Sequence, residues 1–197
     1  MDVSNVDQAS SHLLQTGFHQ FPWTESGNHE LSPGCGKWLS ETLELRVPDG
    51  LLCKKDIRTT ACTAWAIVLA QYTNETDALF GVLSHKKGGR RLMEAIAVDF
   101  ENTTTVIALS EHIEKQLNNG VKSSTVHCHD GTNLRSYVGF DSDLGANHVD
   151  SSPPERSALI LWVTFKGQLM SLRSEFDSKV VSQAESKLIM GHFSQVG

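Results

Sequence analysis

From Thr59 to Tyr72 the chain carries no charged residue, and its apolar positions, Ala61, Ala64, Trp65, Val68, Leu69 and Tyr72, fall at helical spacing. With Ile57 they define a helix that Asp56 can cap. A helix without charge on any side is stable only when largely buried. It is also well short of the roughly 20 apolar residues that a membrane span requires. Such a helix must sit at the centre of a domain, under other elements.

The flanking sequence supplies those elements. Trp38 to Val47 alternates through Leu39, Leu43, Leu45 and Val47, as a half-buried strand does, and Pro48, Asp49 and Gly50 end it with turn chemistry. Ala78–Leu83 and Ala95–Phe100 read as strands around a basic loop holding Lys86, Lys87, Arg90 and Arg91. Thr103 or Thr104 opens a second helix with Val106, Leu109, Ile113 and Leu117 on one face. Arg135–Phe140 is a further strand, and Ala158–Phe165 and Gln168–Phe176 form a hairpin around Lys166 and Gly167. Ser182 and Glu185 have the spacing of a capping box, opening a third helix with Leu188, Ile189, His192, Phe193 and Val196 on one face. The order β-α-β-β-α-β-β-β-α implies an α/β (α+β) fold, a mixed sheet covered by three helices.

With 197 residues, 39% of them hydrophobic and 20% charged, the chain suffices for one well-buried globular domain. Residues 1–20 are polar and aperiodic, which suggests a flexible lead-in before a domain over 21–197. They lack the basic start and apolar core of a secretory signal, so a cytoplasmic location is expected. The net charge of −6 argues against a general nucleic-acid partner, and no apolar run argues for a membrane. Cys35, Cys53, Cys62 and Cys128 form no CxxC pair, so neither a zinc ribbon nor a redox pair is expected; Cys62 reads as a buried thiol.

The segment Thr60–Tyr72, TACTAWAIVLAQY, resembles the "AAWALVLARYT" helix of condensation domains from fungal nonribosomal peptide synthetases. Asp77–Ser84, DALFGVLS, resembles their "DVVFGTPVSGR" strand, and LRSEFD at Leu172–Asp177 with VVSQAE at Val180–Glu185 and Phe193 resembles their closing strand and helix. The resemblance covers residues 21–196. It implies a single chloramphenicol-acetyltransferase-like lobe, the C-terminal half of a domain whose active site lies in a tunnel between two such lobes. The family's catalytic HHxxxDG belongs to the other lobe, and nothing before Phe21 is long enough to supply it. The implied role is therefore non-catalytic: a truncated condensation domain that docks an upstream synthetase subunit or carrier domain, beside an adjacent adenylation domain. Ergot-type peptide alkaloid assembly, in which one synthetase protein feeds another, would need such a contact.

The candidate partner-binding residues are Lys86, Lys87, Arg90 and Arg91. Carrier domains of these systems are generally acidic and bear a phosphopantetheine arm, so four cations on a glycine-containing loop would steer their approach; the alternative is a solvated turn. No cofactor is expected to bind the chain directly. His127, Cys128, His129, Asp130 and Gly131 form the sharpest catalytic alternative, with His127 or His129 as a base in a stand-alone acyltransferase. Their spacing differs from HHxxxDG, and adjacent ligands rarely reach one tetrahedral zinc. A third reading is half of an enzyme, active only with a separate N-terminal lobe. No catalytic or metal-binding residue is assigned.

Overall fold

The computed structural model describes residues 36–46, 57–85, 91–120, 134–140, 153–154, 157–166 and 168–196. In chain order they form β1 (Trp38–Arg46), α1 (Ile57–Thr73), β2 (Asp77–His85), β3 (Arg91–Asp99), α2 (Val106–Gly120), β4 (Ser136–Phe140), β5 (Leu159–Lys166), β6 (Leu169–Asp177) and α3 (Gln183–Val196). This is the element order expected from the hydrophobic pattern.

The strands make one six-stranded sheet in the order β1-β6-β5-β4-β2-β3. Closely spaced neighbours in sequence, β2 with β3 and β5 with β6, pair antiparallel, as hairpin connections require. β2 and β4 are parallel, and α2 lies in the connection between them. β4 and β5 are also parallel, while β1 closes the far edge antiparallel to β6.

All three helices lie on one face. α1 packs over β2 and β4 between α2, which reaches β3, and α3, which reaches β1 and β6. Trp65 and Cys62 are fully buried there, and the Trp65 ring meets Phe193 with centroids 6.4 Å apart. Phe80, Val138, Leu161 and Phe176 rise from the sheet into the same core. Burying each such side chain is worth about 1.5–3 kcal/mol, which explains why α1 carries no charge after Arg58 in its first turn.

Local chemistry sets the helix ends. Asn74 takes a positive φ of 53° and donates its N–H to the Ala70 carbonyl, stopping α1. In the capping box of α3, Glu185 N–H donates to Ser182 Oγ at 3.2 Å and Ser182 N–H to Glu185 Oε2 at 2.7 Å. α2 is capped by Thr105, whose Oγ1 accepts from Ala108 N–H at 3.1 Å, one or two residues later than expected. That register turns Val106 outward, 62% exposed, and leaves Leu109, Ile113 and Leu117 as the buried stripe. In α3 the inner face is Ser186, Ile189, Met190 and Phe193, so Leu188, expected in the core, is 52% exposed and Val196 is also exposed. Among the described residues no helix is long and apolar enough to cross a membrane.

Candidate functional site

Among the described residues one face of the sheet carries no helix, and that face has two unlike halves. Over β2, β4 and the start of β5, Leu79, Leu83, Leu134, Tyr137, Ile160 and Trp162 form a second buried apolar cluster, with Trp38 partly buried against it. Trp38 is thus packed on its own sheet. Over β1 and β6 the same face is polar: Ser40, Thr42 and Glu44 are exposed, and Arg173 and Glu175 are half-buried.

Two glycines shape the buried half. A Cβ on Gly81 would lie 2.1 Å from the Tyr137 ring, and one on Gly139 would lie 2.3 Å from the Trp162 ring. Both aromatic rings therefore occupy space that a side chain on the neighbouring strand would need. The Arg173 guanidinium sits 5.7 Å from the centre of the Trp162 ring and is 3.3 Å from the Glu175 carboxylate. Trp162 and Arg173 are register partners, so this stack marks the boundary between the apolar and polar halves.

The outer edge of the sheet at β3 is closed over part of its length. Gln116, on α2, accepts from Ala97 N–H and donates to Ala97 C=O, at 3.2 and 2.6 Å. His112 Nε2 completes the cluster, 2.7 Å from Gln116 Nε2. Thr103 Oγ1 donates to the Asp99 carbonyl at 2.6 Å. The Asp99 carboxylate accepts from Asn102 Nδ2 and from the backbone N–H groups of Glu101 and Asn102. These bonds, the Asn102 side chain first, hold its carboxyl below the usual value, and the nearby His112 adds to the effect. The other described imidazole ring, that of His192, packs on Tyr72 at 5.6 Å. Burial, with Glu185 as a lesser cause, pushes the Tyr72 hydroxyl up.

A third feature ties the first described residues to the end of the sheet. Asp177 is buried and accepts from Gly36 N–H at 3.3 Å and Lys179 N–H at 2.9 Å, while Ser178 N–H donates to Lys37 C=O.

Of the residues proposed from sequence, Arg91 begins β3 and pairs in register with His85. Lys86, Lys87 and Arg90 lie outside the described residues, as do His127, Cys128, His129, Asp130 and Gly131. The Trp162–Arg173 stack and the Gln116 clamp were not foreseen. The glycines opposite aromatic residues were a signal for the first, but only once strand register is known. Among the described residues no group of three or more His, Cys, Asp or Glu is placed to hold a metal ion.

No protein-family model matches the sequence, and no curated protein does. Solved structures match it clearly. A mutant of a protein designated CT superposes with a TM-score of 0.69 at 16% identity, over 96% of this chain and 48% of that one. The starter condensation domain of rhizomide synthetase RzmA superposes at 0.65 and 13% identity, over 96% of this chain and 50% of that one. A structure concerned with condensation domain-mediated chain release from the enacyloxin polyketide synthase gives 0.61 at 8% identity, covering 82% and 40%. The fold is that of a condensation-domain lobe, of the chloramphenicol-acetyltransferase-like type. The chain spans about half the length of the structures it matches.

Proposed function

We propose that this chain is one lobe of a condensation-type domain of a nonribosomal peptide synthetase, working as a docking platform rather than as a catalyst. The observation that carries the reading is the extent of the structural match: nearly all of this chain lies on about half of each condensation-domain structure. Amide formation needs a base poised beside the nucleophile. In the family that this sequence resembles, the base belongs to the other lobe. The partner is an upstream synthetase subunit or its carrier domain, delivering an acyl group on a phosphopantetheine arm. Lys86, Lys87, Arg90 and Arg91, four cations within the β2–β3 connection and its end, give an acidic carrier surface an electrostatic target.

The test is a binding titration of the full chain against the upstream subunit, with and without its loaded carrier domain. Saturable binding that weakens with added salt, and weakens further on replacing the four cations by glutamine, is expected. Absence of saturable binding to any neighbouring synthetase protein removes the docking role. The same half-length match also suits half of an enzyme. Amide formation that appears only when this chain is mixed with a separate N-terminal lobe would favour that reading over a docking role.

A further inference from the structure

Six apolar side chains on the sheet face opposite α1 are buried where no described helix lies over them. Leu79, Leu83, Leu134, Tyr137, Ile160 and Trp162 are each at most 4% exposed, and their cluster contains no helix residue. Side chains on a bare sheet face stand out into water, so other residues of this same chain must account for the burial. The buried stripe is narrow. It fades at β3, where Met93 and Ala97 are half-buried and Ala95 is exposed, and at β1, where Ser40 and Thr42 are exposed. From β2 across β4 to β5 is two strand spacings, about 10 Å, the width of one chain segment rather than of a second domain.

The connection from β4 to β5 has to cross the sheet. The two strands are parallel, with Ser136 beside Leu159 and Phe140 beside Val163, so the chain leaving Phe140 must travel back before it can begin β5. Ala158 and Leu159 donate their N–H groups to the Arg135 carbonyl, and Ser157 N–H donates to the Pro154 carbonyl, so the return is complete by Pro154. Residues 141–152 are left to make the crossing. Twelve residues reach about 40 Å, ample for the roughly 17 Å of the five-residue β4.

Handedness decides the face. Crossovers between parallel strands of one sheet are nearly always right-handed. β1, β5, β4 and β2 all run in the same direction. The β1–α1–β2 crossover moves along the sheet toward β3, and α1 lies in the helix layer. The β4–β5 crossover moves the opposite way between strands of the same sense. With the same hand it must pass on the opposite face, where Tyr137 and Trp162 lie.

We infer that residues 141–152 run across β4 and β5 on the sheet face opposite α1, with Leu144 and Val149 set against Tyr137 and Trp162, so that the chain itself occupies this surface. Burial and handedness reach the same face independently. The inference rests on the fold and not on the docking role. It does bear on that role: a separate polypeptide reaches this face only by displacing the segment, so the upstream subunit has to dock on another surface.

NMR of the full chain with labelled Leu and Val methyl groups tests this. Nuclear Overhauser contacts should join the Leu144 and Val149 methyls to the ring protons of Tyr137 and Trp162. Contacts to those rings from Phe21 or Trp23 instead would give the face to the first 35 residues and overturn the inference. Contacts from Leu144 and Val149 to α1, such as to Trp65, would place the crossing on the helix side and overturn it equally. So would ring contacts seen only between differently labelled copies, which would assign the face to a second molecule. As a second measurement, Leu144→Asp combined with Val149→Asp should lower the unfolding midpoint and shift the Tyr137 and Trp162 ring resonances, because two charges would enter an apolar contact. An unchanged midpoint with unchanged ring resonances means the two residues lie in water, and the inference fails. If the double variant does not fold, the contacts in the native chain decide alone.

Discussion

Gln116 occupies both hydrogen-bonding groups of Ala97, accepting from its N–H and donating to its C=O, so a helix side chain stands where another strand would pair. An unpaired strand edge is a route to aggregation, and proteins close it with charges, bulges or covering elements. Here a neutral amide does so, because a primary amide presents a donor and an acceptor at the spacing of a peptide group.

Gln116→Ala should remove two bonds from the β3 edge and cost about 1–3 kcal/mol of stability. It should also expose the Ala97 amide to exchange and promote self-association. Gln116→Glu keeps an acceptor for the Ala97 N–H but sets a carboxylate against its carbonyl, so it should behave at least as badly above neutral pH. Denaturant unfolding and sedimentation of the two variants check this. An Ala97 amide that stays protected in Gln116→Ala would show that the clamp does not close the edge.

The aromatic residues on the sheet face opposite α1 depend on glycine across from them. Gly139→Ala would force its new methyl group into the Trp162 ring, displacing both that ring and the Arg173 guanidinium beside it. Such overpacking costs about 1–3 kcal/mol. Adding Trp162→Leu should recover part of the loss, so the two changes should be non-additive. A double-variant cycle read by denaturant unfolding measures the coupling. Strict additivity would mean the ring does not rest on Gly139.

Asp177 should matter more than its position at the end of β6 suggests. Its carboxylate is buried and accepts from two backbone N–H groups, one of them 141 positions away in sequence. Asp177→Ala leaves both donors without that acceptor and should cost about 1–3 kcal/mol. Gly36→Ala should fail for a different reason, since its Cβ would fall 1.5 Å from Asp177 Oδ1. Thermal unfolding of each variant tests this, with Lys37→Ala as a neighbouring control expected to change little.

The elements were legible in the sequence where periodicity was strong. The uncharged run of α1, the alternation of Leu39, Leu43 and Leu45 in β1, and the Ser182–Glu185 box each encode their structure locally. The sheet order was not written in any local pattern. Nor was the Gln116 clamp, which joins side chain and backbone 19 residues apart once α2 has docked on β3. Leu188 and Val106 show the limit of counting apolar residues by face. Val106 opens α2, where a shift of one residue in the start turns it outward, whereas within α3 Met190 rather than Leu188 takes the core position. The proposed sites were the least legible, because charge clusters such as Lys86, Lys87, Arg90 and Arg91 indicate where a partner could be attracted without fixing the surface that holds it.

Asp99 gives the fold a defined acid response. Its carboxyl is held below the ordinary value, first by the Asn102 side chain, then by the backbone N–H groups of Asn102 and Glu101, with His112 adding a smaller electrostatic share. A group whose acidity is increased by folding stabilises the native state fully above its unfolded value, and that contribution is lost as pH falls through the folded one. The contribution of Asp99 to stability should therefore be complete above the ordinary aspartate value of 3.8 and be lost below it, where the unfolded chain takes up a proton that the folded chain resists. Asn102→Ala removes the largest cause, so it should raise the Asp99 titration midpoint and flatten this decline. His112→Gln should move the midpoint less. Carboxyl NMR titration of the native chain and both variants, beside unfolding curves across the same pH range, tests the assignment; an Asp99 that titrates identically in native chain and Asn102→Ala would place the cause elsewhere.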